Sequence, residues 1–375
     1  MAEPCDVLVC GAGPSGSTAA LELARSGLKT VLCDRQSFPR DKTCAGWLNA
    51  RAFSRFDFLA GKAEELTERA FSELVFLSPN LGQRISYRAE EPQGYLVSRR
   101  RFDHRLVEMA VAAGATLVQG TGLTELWPAE DSVLSVLEDG RRYQSRFLVG
   151  ADGVRSNVGR LSGLNPGFAD DQLVVAVEQE FRASEELMEE LGGDRGRILV
   201  VLAYNYIPGY GWVFPHRETV SVGVGARMSR VSNIGETHRK FVADLRAGGL
   251  LPDDGETREP RSAVLPAGAA LKLPRLAEGR VLLVGDAGGF VGAASGEGIY
   301  PGMRSGQLAA QAIAEGCVHG REAEVAVRYQ AGFRRELARY LEMPAVELSL
   351  LMDLLFRNQR VANKLARAFL FGEPL

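Results

Sequence analysis

The 375-residue chain lacks the marks of several protein classes. It has only five cysteines, and no pair has the C-x-x-C spacing of a zinc or redox site. Cys5, Cys10 and Cys33 lie in apolar runs, where free thiols are ordinary core residues. The four histidines, His104, His216, His238 and His319, are scattered, and no spacing among them suits a metal, so none is expected. His216 follows a Phe-Pro pair, yet it reads as a satisfied surface histidine. The net charge of -3 and pI near 6.0 leave no basic surface for nucleic acid. No apolar run approaches the roughly 18 residues of a membrane span. No basic and apolar leader precedes the first strand, expected from Asp6, so the expectation is a reducing, cytoplasmic setting. What remains is a globular composition, 46% hydrophobic and 24% charged, with length enough for two domains.

Hydrophobic patterning gives the organisation. Asp6 to Cys10 is a short apolar run, as a buried parallel strand requires. A helix follows over Ser17 to Ser26, then a second buried strand over Thr30 to Cys33. Together they form a β-α-β unit. Arg99 to Asp103 opens a helix that runs to Ala113, and Leu123 to Phe147 reads as a three-strand meander with a turn at Asp139-Gly140. From about Gly167 to Leu273 the pattern alternates as antiparallel strands do. The parallel pattern resumes at Val281 to Asp286, and helices fill the remainder. The expected fold class is α/β (α+β overall): a Rossmann-like nucleotide-binding domain from 1–70, 95–166 and 275–320, an inserted antiparallel-sheet domain from 71–94 and 167–274, and C-terminal helices over 321–375.

Gly11-Ala12-Gly13-Pro14-Ser15-Gly16 is the first chemical motif. It follows a strand and opens a helix. Gly11 permits the tight turn, Gly13 the approach of a pyrophosphate, and Gly16 the packing of helix on strand. The helix N-terminus supplies donors and positive dipole to phosphates. Asp34 stands roughly 20 residues on, at the end of the second strand, where a carboxylate can accept from a ribose hydroxyl. A G-x-G-x-x-G alone is weak evidence. Here strand, helix and acid come in order, which favours a nucleotide site over a structural turn.

Two later segments narrow the nucleotide. Gly150-Ala151-Asp152-Gly153-Val154-Arg155-Ser156 and Gly285-Asp286-Ala287-Gly288-Gly289 resemble the second and third signatures of the p-hydroxybenzoate-hydroxylase-like flavoproteins. The resemblance implies FAD as cofactor. It puts Asp286 on the ribityl chain and starts a helix at Gly298-Ile299 aimed at the flavin. It also sets Arg99 near FAD and adds Arg35 and Leu123 to the cofactor's surroundings. Asp152 it makes structural.

Tyr210-Gly211-Trp212-Val213-Phe214-Pro215, with Gly223 and Gly225 beyond, resembles the Y-x-W-x-F-P-x7-G-x-G signature of the geranylgeranyl reductase family. That implies substrate contacts at Tyr210, Trp212, Phe214, Pro215 and Gly223, since large rings suit a long apolar tail. A core strand with alternating aromatics is the plain alternative. Lys42-Thr43-Cys44-Ala45-Gly46 matches the family's loop beside the flavin, with Ala45 where glycine is usual. Cys44 and Ala45 are therefore cofactor contacts by resemblance, and Cys44 is the candidate catalytic thiol.

The implied activity is reduction of isolated C=C bonds in an isoprenoid lipid, with hydride from reduced flavin N5. NADPH binding transiently, or a ferredoxin, is allowed as electron donor, because no second dinucleotide fingerprint is present. Peripheral contact with the inner face of a membrane is also allowed, through Arg357, Arg360, Lys364 and Arg367 on an amphipathic stretch over 335–371. A helical cap packed on the FAD domain is the preferred reading of that stretch. Two rivals stand: a flavin monooxygenase, hydroxylase or halogenase-like, on a hydrophobic or aromatic small molecule, and a flavin-binding partner without turnover. Halogenase-like relatives carry W-x-W-x-I-P where this chain has Tyr210 to Pro215, which weakens halogenation.

Overall fold

A computed structural model describes residues 1–193, 195–251, 257–343 and 348–375. The chain forms two compact units, each assembled from separated segments. The first comprises Met1–Asp41, Arg100–Ala169 and Leu265–Met343; the second comprises Lys42–Arg99, Asp170–Val264 and Pro344–Leu375.

The first unit is built on a sheet whose parallel strands are Val281–Leu283, Arg142–Gly150, Glu3–Cys10, Thr30–Asp34 and Thr116–Gln119, in that spatial order. The apolar runs Val7 to Cys10 and Thr30 to Cys33 are buried throughout, as a parallel sheet covered on both faces demands. Leu123–Pro128, Val133–Leu137 and Arg142–Gly150 form the expected antiparallel meander. Leu8, Val31, Val133, Leu148 and Leu283 meet in the core cluster of this sheet. The helices Pro14–Arg25 and Ile299–His319 pack against each other. Cys10 and Cys33 lie with sulfurs 3.6 Å apart in this core. Their mutual hydrogen bond and burial hold the Cys10 thiol well above the ordinary range, which keeps it inert.

The second unit carries a sheet ordered Arg261–Leu265, Val174–Arg182, Thr219–Arg227, Gly209–Pro215, Arg197–Leu202, Glu73–Leu77 and Arg84–Arg88. The antiparallel expectation holds for most pairs, but Arg197–Leu202 runs parallel to Glu73–Leu77, so the sheet is mixed. One face packs on the helix Ile234–Ala247 through Val213, Val222, Val224 and Phe241. Alternation along the strands turns Trp212, Phe214, Ser221 and Glu178 to the other face.

Three domain assignments change, one of them at residues 265–274, which were expected with the antiparallel domain and belong to the first unit. Residues 42–70 and 95–99, expected with the nucleotide domain, belong to the second unit. The reason is strand pairing: Gly94–Leu96 sits between Trp47–Asn49 and Arg69–Phe71 in a small antiparallel sheet. The C-terminal stretch also divides. Val325–Leu341 stays with the first unit, whereas the helix Gln359–Phe371 belongs to the second. Positions 344–347 of the expected helical run lie outside the described residues. The cap on the FAD domain is thus replaced, over its last helix, by a cap on the mixed sheet: Phe369 packs against Phe76 and Tyr210, and the Leu370 carbonyl accepts from Asn49 Nδ2 at 2.5 Å. Arg360, Lys364 and Arg367 remain exposed on the opposite side of that helix.

Candidate active site

In the first unit the glycine motif forms the turn that its spacing required. Gly11 adopts φ +104°, and a Cβ there would stand 2.2 Å from the Ala151 carbonyl oxygen. Helix Pro14–Arg25 begins at Gly13 with proline in its first turn and no capping side chain. Its initial N–H groups are therefore open to an anion, as a pyrophosphate needs. Asp34 is nearly buried, and its carboxylate holds the turn. Oδ2 accepts from the Ala12 N–H at 2.7 Å and Oδ1 from the Gln36 N–H at 2.8 Å. Each oxygen keeps a lone pair for a ribose hydroxyl.

Arg40 was invisible as a site residue in the sequence. Its guanidinium Nη2 lies 3.8 Å from where a Cβ on Gly13 would be, and Nη1 lies 3.1 Å from the fully buried Asp103 carboxylate. A positive group over the Gly13 turn suits the same pyrophosphate. Glycine cradle, uncapped helix and buried arginine thus fit FAD's phosphates.

Gly285, Asp286 and Gly288 form a short 3-10 turn after Val281–Leu283. Asp286 is partly accessible there, as a ribityl contact must be. Gly298 is the N-cap of Ile299–His319. Sequence reasoning overlooked Glu297 beside it, which is buried, accepts from the Tyr300 N–H at 2.8 Å and receives the Tyr340 hydroxyl at 2.6 Å. Ser156 caps the helix Asn157–Ser162, and Asp152 braces that end by accepting from the Val158 N–H and the Ser156 hydroxyl. Burial raises its carboxyl against the pull of those donors. Arg35 is exposed and Leu123 buried. Arg99 is the first residue of the helix Arg99–Ala112, as its sequence suggested.

The remaining site residues gather in the second unit. Tyr210, Trp212 and Phe214 share one face of Gly209–Pro215, with ring centroids 6.1 and 6.4 Å apart in sequence. Phe369 closes on Tyr210 at 5.5 Å and stacks on Trp47 at 5.4 Å, and Trp47 meets Phe71 at 6.3 Å. Trp212 and Phe214 are 6% and 1% exposed, so they form the packed floor of an aromatic wall, with Tyr210 at its accessible margin. Trp212 stands opposite Gly223 and Tyr210 opposite Gly225 in the strand register. The spacing of the motif is thus the length of one hairpin. Pro215 pairs with Val220 at the hairpin end.

One polar line crosses this wall. The Trp212 indole N–H donates to Ser221 Oγ, and that hydroxyl donates to Glu178 Oε1, each at 3.2 Å. Glu178 is 7% exposed, and burial, with Glu180 nearby, lifts its carboxyl to about 7.

Cys44 lies on the loop before Trp47, half-buried, and its sulfur accepts from the Gly46 N–H at 3.4 Å. His216 corrects its surface assignment. It is 8% exposed and bridges two elements, with Nδ1 2.7 Å from Glu68 Oε2 and Nε2 3.0 Å from the Ala45 carbonyl oxygen.

Comparison with known proteins identifies the family. Residues 4–331 match the model of the FAD binding domain family. The chain is 33% identical over 331 residues to a menaquinone reductase of Mycolicibacterium smegmatis, covering 84% of this chain and 77% of that protein. It is 31% identical over 337 residues to a geranylgeranyl diphosphate reductase of Rhodobacter capsulatus, covering 88% and 80%. This chain belongs to the geranylgeranyl reductase family of FAD-dependent oxidoreductases. The same fold occurs in the crystal structure of a geranylgeranyl bacteriochlorophyll reductase-like protein from Thermoplasma acidophilum, which superposes with a TM-score of 0.81 at 22% identity, covering 91% of this chain and 85% of the other.

Proposed function

We propose that the enzyme reduces isolated C=C bonds in the polyprenyl chain of a lipid. The observation that carries this reading is the continuous aromatic wall of Trp47, Phe369, Tyr210, Trp212 and Phe214 in the same unit as the Cys44 loop. Bound and reduced, FAD supplies the hydride. The residues named for it are the Gly11 to Gly16 turn, Asp34, Arg35 and Arg40, with Leu123, Asp286, Gly298 and Ile299, and Cys44, Ala45 and Arg99.

An unactivated alkene offers no carbonyl to polarise. The protein's share of catalysis is then positioning and exclusion of water. Aromatic faces do both, because they give broad apolar contact with few rotatable bonds. Cys44 is the proposed source of the proton that completes the saturated bond, with water as the other source. The electron donor is proposed to be NADPH binding transiently, or a ferredoxin. Among the described residues no helix is long and apolar enough to cross a membrane. We place the enzyme in the cytoplasm, meeting its lipid at the membrane's inner face.

Support comes from relatives named for geranylgeranyl and menaquinone substrates, both polyprenyl or polyprenyl-bearing by chemistry. The test is anaerobic: dithionite-reduced protein is mixed with geranylgeranyl diphosphate and the lipid is weighed by mass spectrometry. A gain of two hydrogens per reduced bond is expected. Unchanged lipid, with this substrate and with a prenylated quinone, overturns the reading.

A further inference from the structure

His216 sits between two groups that can only accept. The Ala45 carbonyl oxygen, 3.0 Å from Nε2, has no proton to give, so Nε2 carries one. Glu68 Oε2, 2.7 Å from Nδ1, accepts when ionised. Both bonds are made together only if the His216–Glu68 pair holds one proton more than neutral imidazole beside a carboxylate. That proton lies in the 2.7 Å contact between Nδ1 and Oε2, where it ties the ring to Glu68. Gly46 lies directly against the ring: a Cβ there would stand 2.9 Å from Cε1. The imidazole is therefore in contact with two successive residues of the loop that follows Cys44.

We propose that His216 is a positioning residue, a doubly protonated latch that ties the Cys44 loop to Glu68 through the Ala45 carbonyl. Loss of the extra proton leaves three groups with one donor among them; the charged Glu68 carboxylate is the stronger acceptor and keeps it, so the bond to the Ala45 carbonyl is released. Cys44 is then freed to move. Glu178 is a second carboxyl that interacts electrostatically with the ring. Arg217 and Glu218 in its own turn and Lys42 at the base of the loop are exposed, where solvent screens them. The latch rests on reading this loop as the chemical edge of the site, but its test needs no substrate.

The protein is labelled with 15N-histidine, and the His216 resonances are identified by their absence in His216→Phe. Both ring nitrogens are expected to be protonated at pH 7. Alkylation of Cys44 by iodoacetamide is then followed by mass spectrometry from pH 6 to 9. Rates are taken relative to His216→Phe at each pH, which cancels the thiol's own titration. Wild type is expected to react about tenfold more slowly than His216→Phe at low pH, the factor that one charge-assisted hydrogen bond allows, and to converge on it as pH rises. Glu68→Gln is the informative variant. Its amide can donate to Nδ1, so a neutral ring keeps Nε2–H on Ala45, and protection should persist at all pH values. An unprotonated Nε2 at pH 7 overturns the latch. So does a Glu68→Gln protein that reacts like His216→Phe. Failure of the lipid assay alone leaves both readouts standing.

Discussion

Trp212 lies across Gly223: a Cβ on that glycine would stand 2.1 Å from the indole Cζ2. The two residues face each other in the strand register. The glycine of the motif is therefore the space that the tryptophan occupies.

Gly223→Ala must push the indole away or bend the hairpin. Overpacking of this kind costs about 1–3 kcal/mol. A lower midpoint of thermal unfolding and a red-shifted tryptophan emission are expected. Trp212→Phe in the same chain should recover only the share due to the indole, because the Val177 carbonyl oxygen, 2.5 Å from that Cβ, remains; a double-mutant cycle measures the share.

Glu178 gives stability a pH dependence. Its carboxyl is raised from 4.5 to about 7 by burial, so the folded state holds the proton more tightly than the unfolded chain. That contribution is full below pH 4.5 and is lost as pH rises through 7. Glu178→Gln removes it. Relative to wild type, the variant should gain stability on the order of 2–3 kcal/mol between acid and alkaline conditions. Urea unfolding at pH 5 and pH 8.5 checks the difference, and equal offsets at both would contradict it.

Asp103 is fully buried, 3.1 Å from Arg40. Asp103→Ala leaves the guanidinium without that partner, which typically costs about 3–5 kcal/mol. FAD's pyrophosphate would restore a counter-charge. The loss should therefore be larger in flavin-stripped protein than in protein saturated with FAD, as scanning calorimetry of the two forms can measure.

Gly11→Ala places a methyl group against the Ala151 carbonyl at a φ that alanine rarely adopts. FAD affinity is expected to fall at least about tenfold, or ~1.4 kcal/mol. Flavin absorbance retained after gel filtration reports it, and retention equal to wild type would show that the turn tolerates the change.

The glycine turn was legible because its parts are near one another in the chain and each has a local reason. The aromatic hairpin was legible for the same cause, since its motif spacing is its register. The rest of the wall was not. Phe369 meets Trp47 across most of the chain, and nothing in the apolar stripe of Gln359–Phe371 says which surface it covers. His216 was misread because burial comes from Glu68, 148 positions away, and from Ala45, 171 positions away. The 42–70 segment was misassigned because a three-residue strand carries too little pattern to declare its partner.

Trp47 stacks on Phe369 with planes 12° apart. During synthesis, one ring leaves the ribosome more than three hundred residues before the other. At about 5–20 residues per second the first must wait on the order of 15 to 60 seconds for its mate. For that interval the half-built wall is an uncovered apolar surface, the kind of species that chaperones bind. The completed wall is a late product of translation, and the helix Gln359–Phe371 is what ends the exposure.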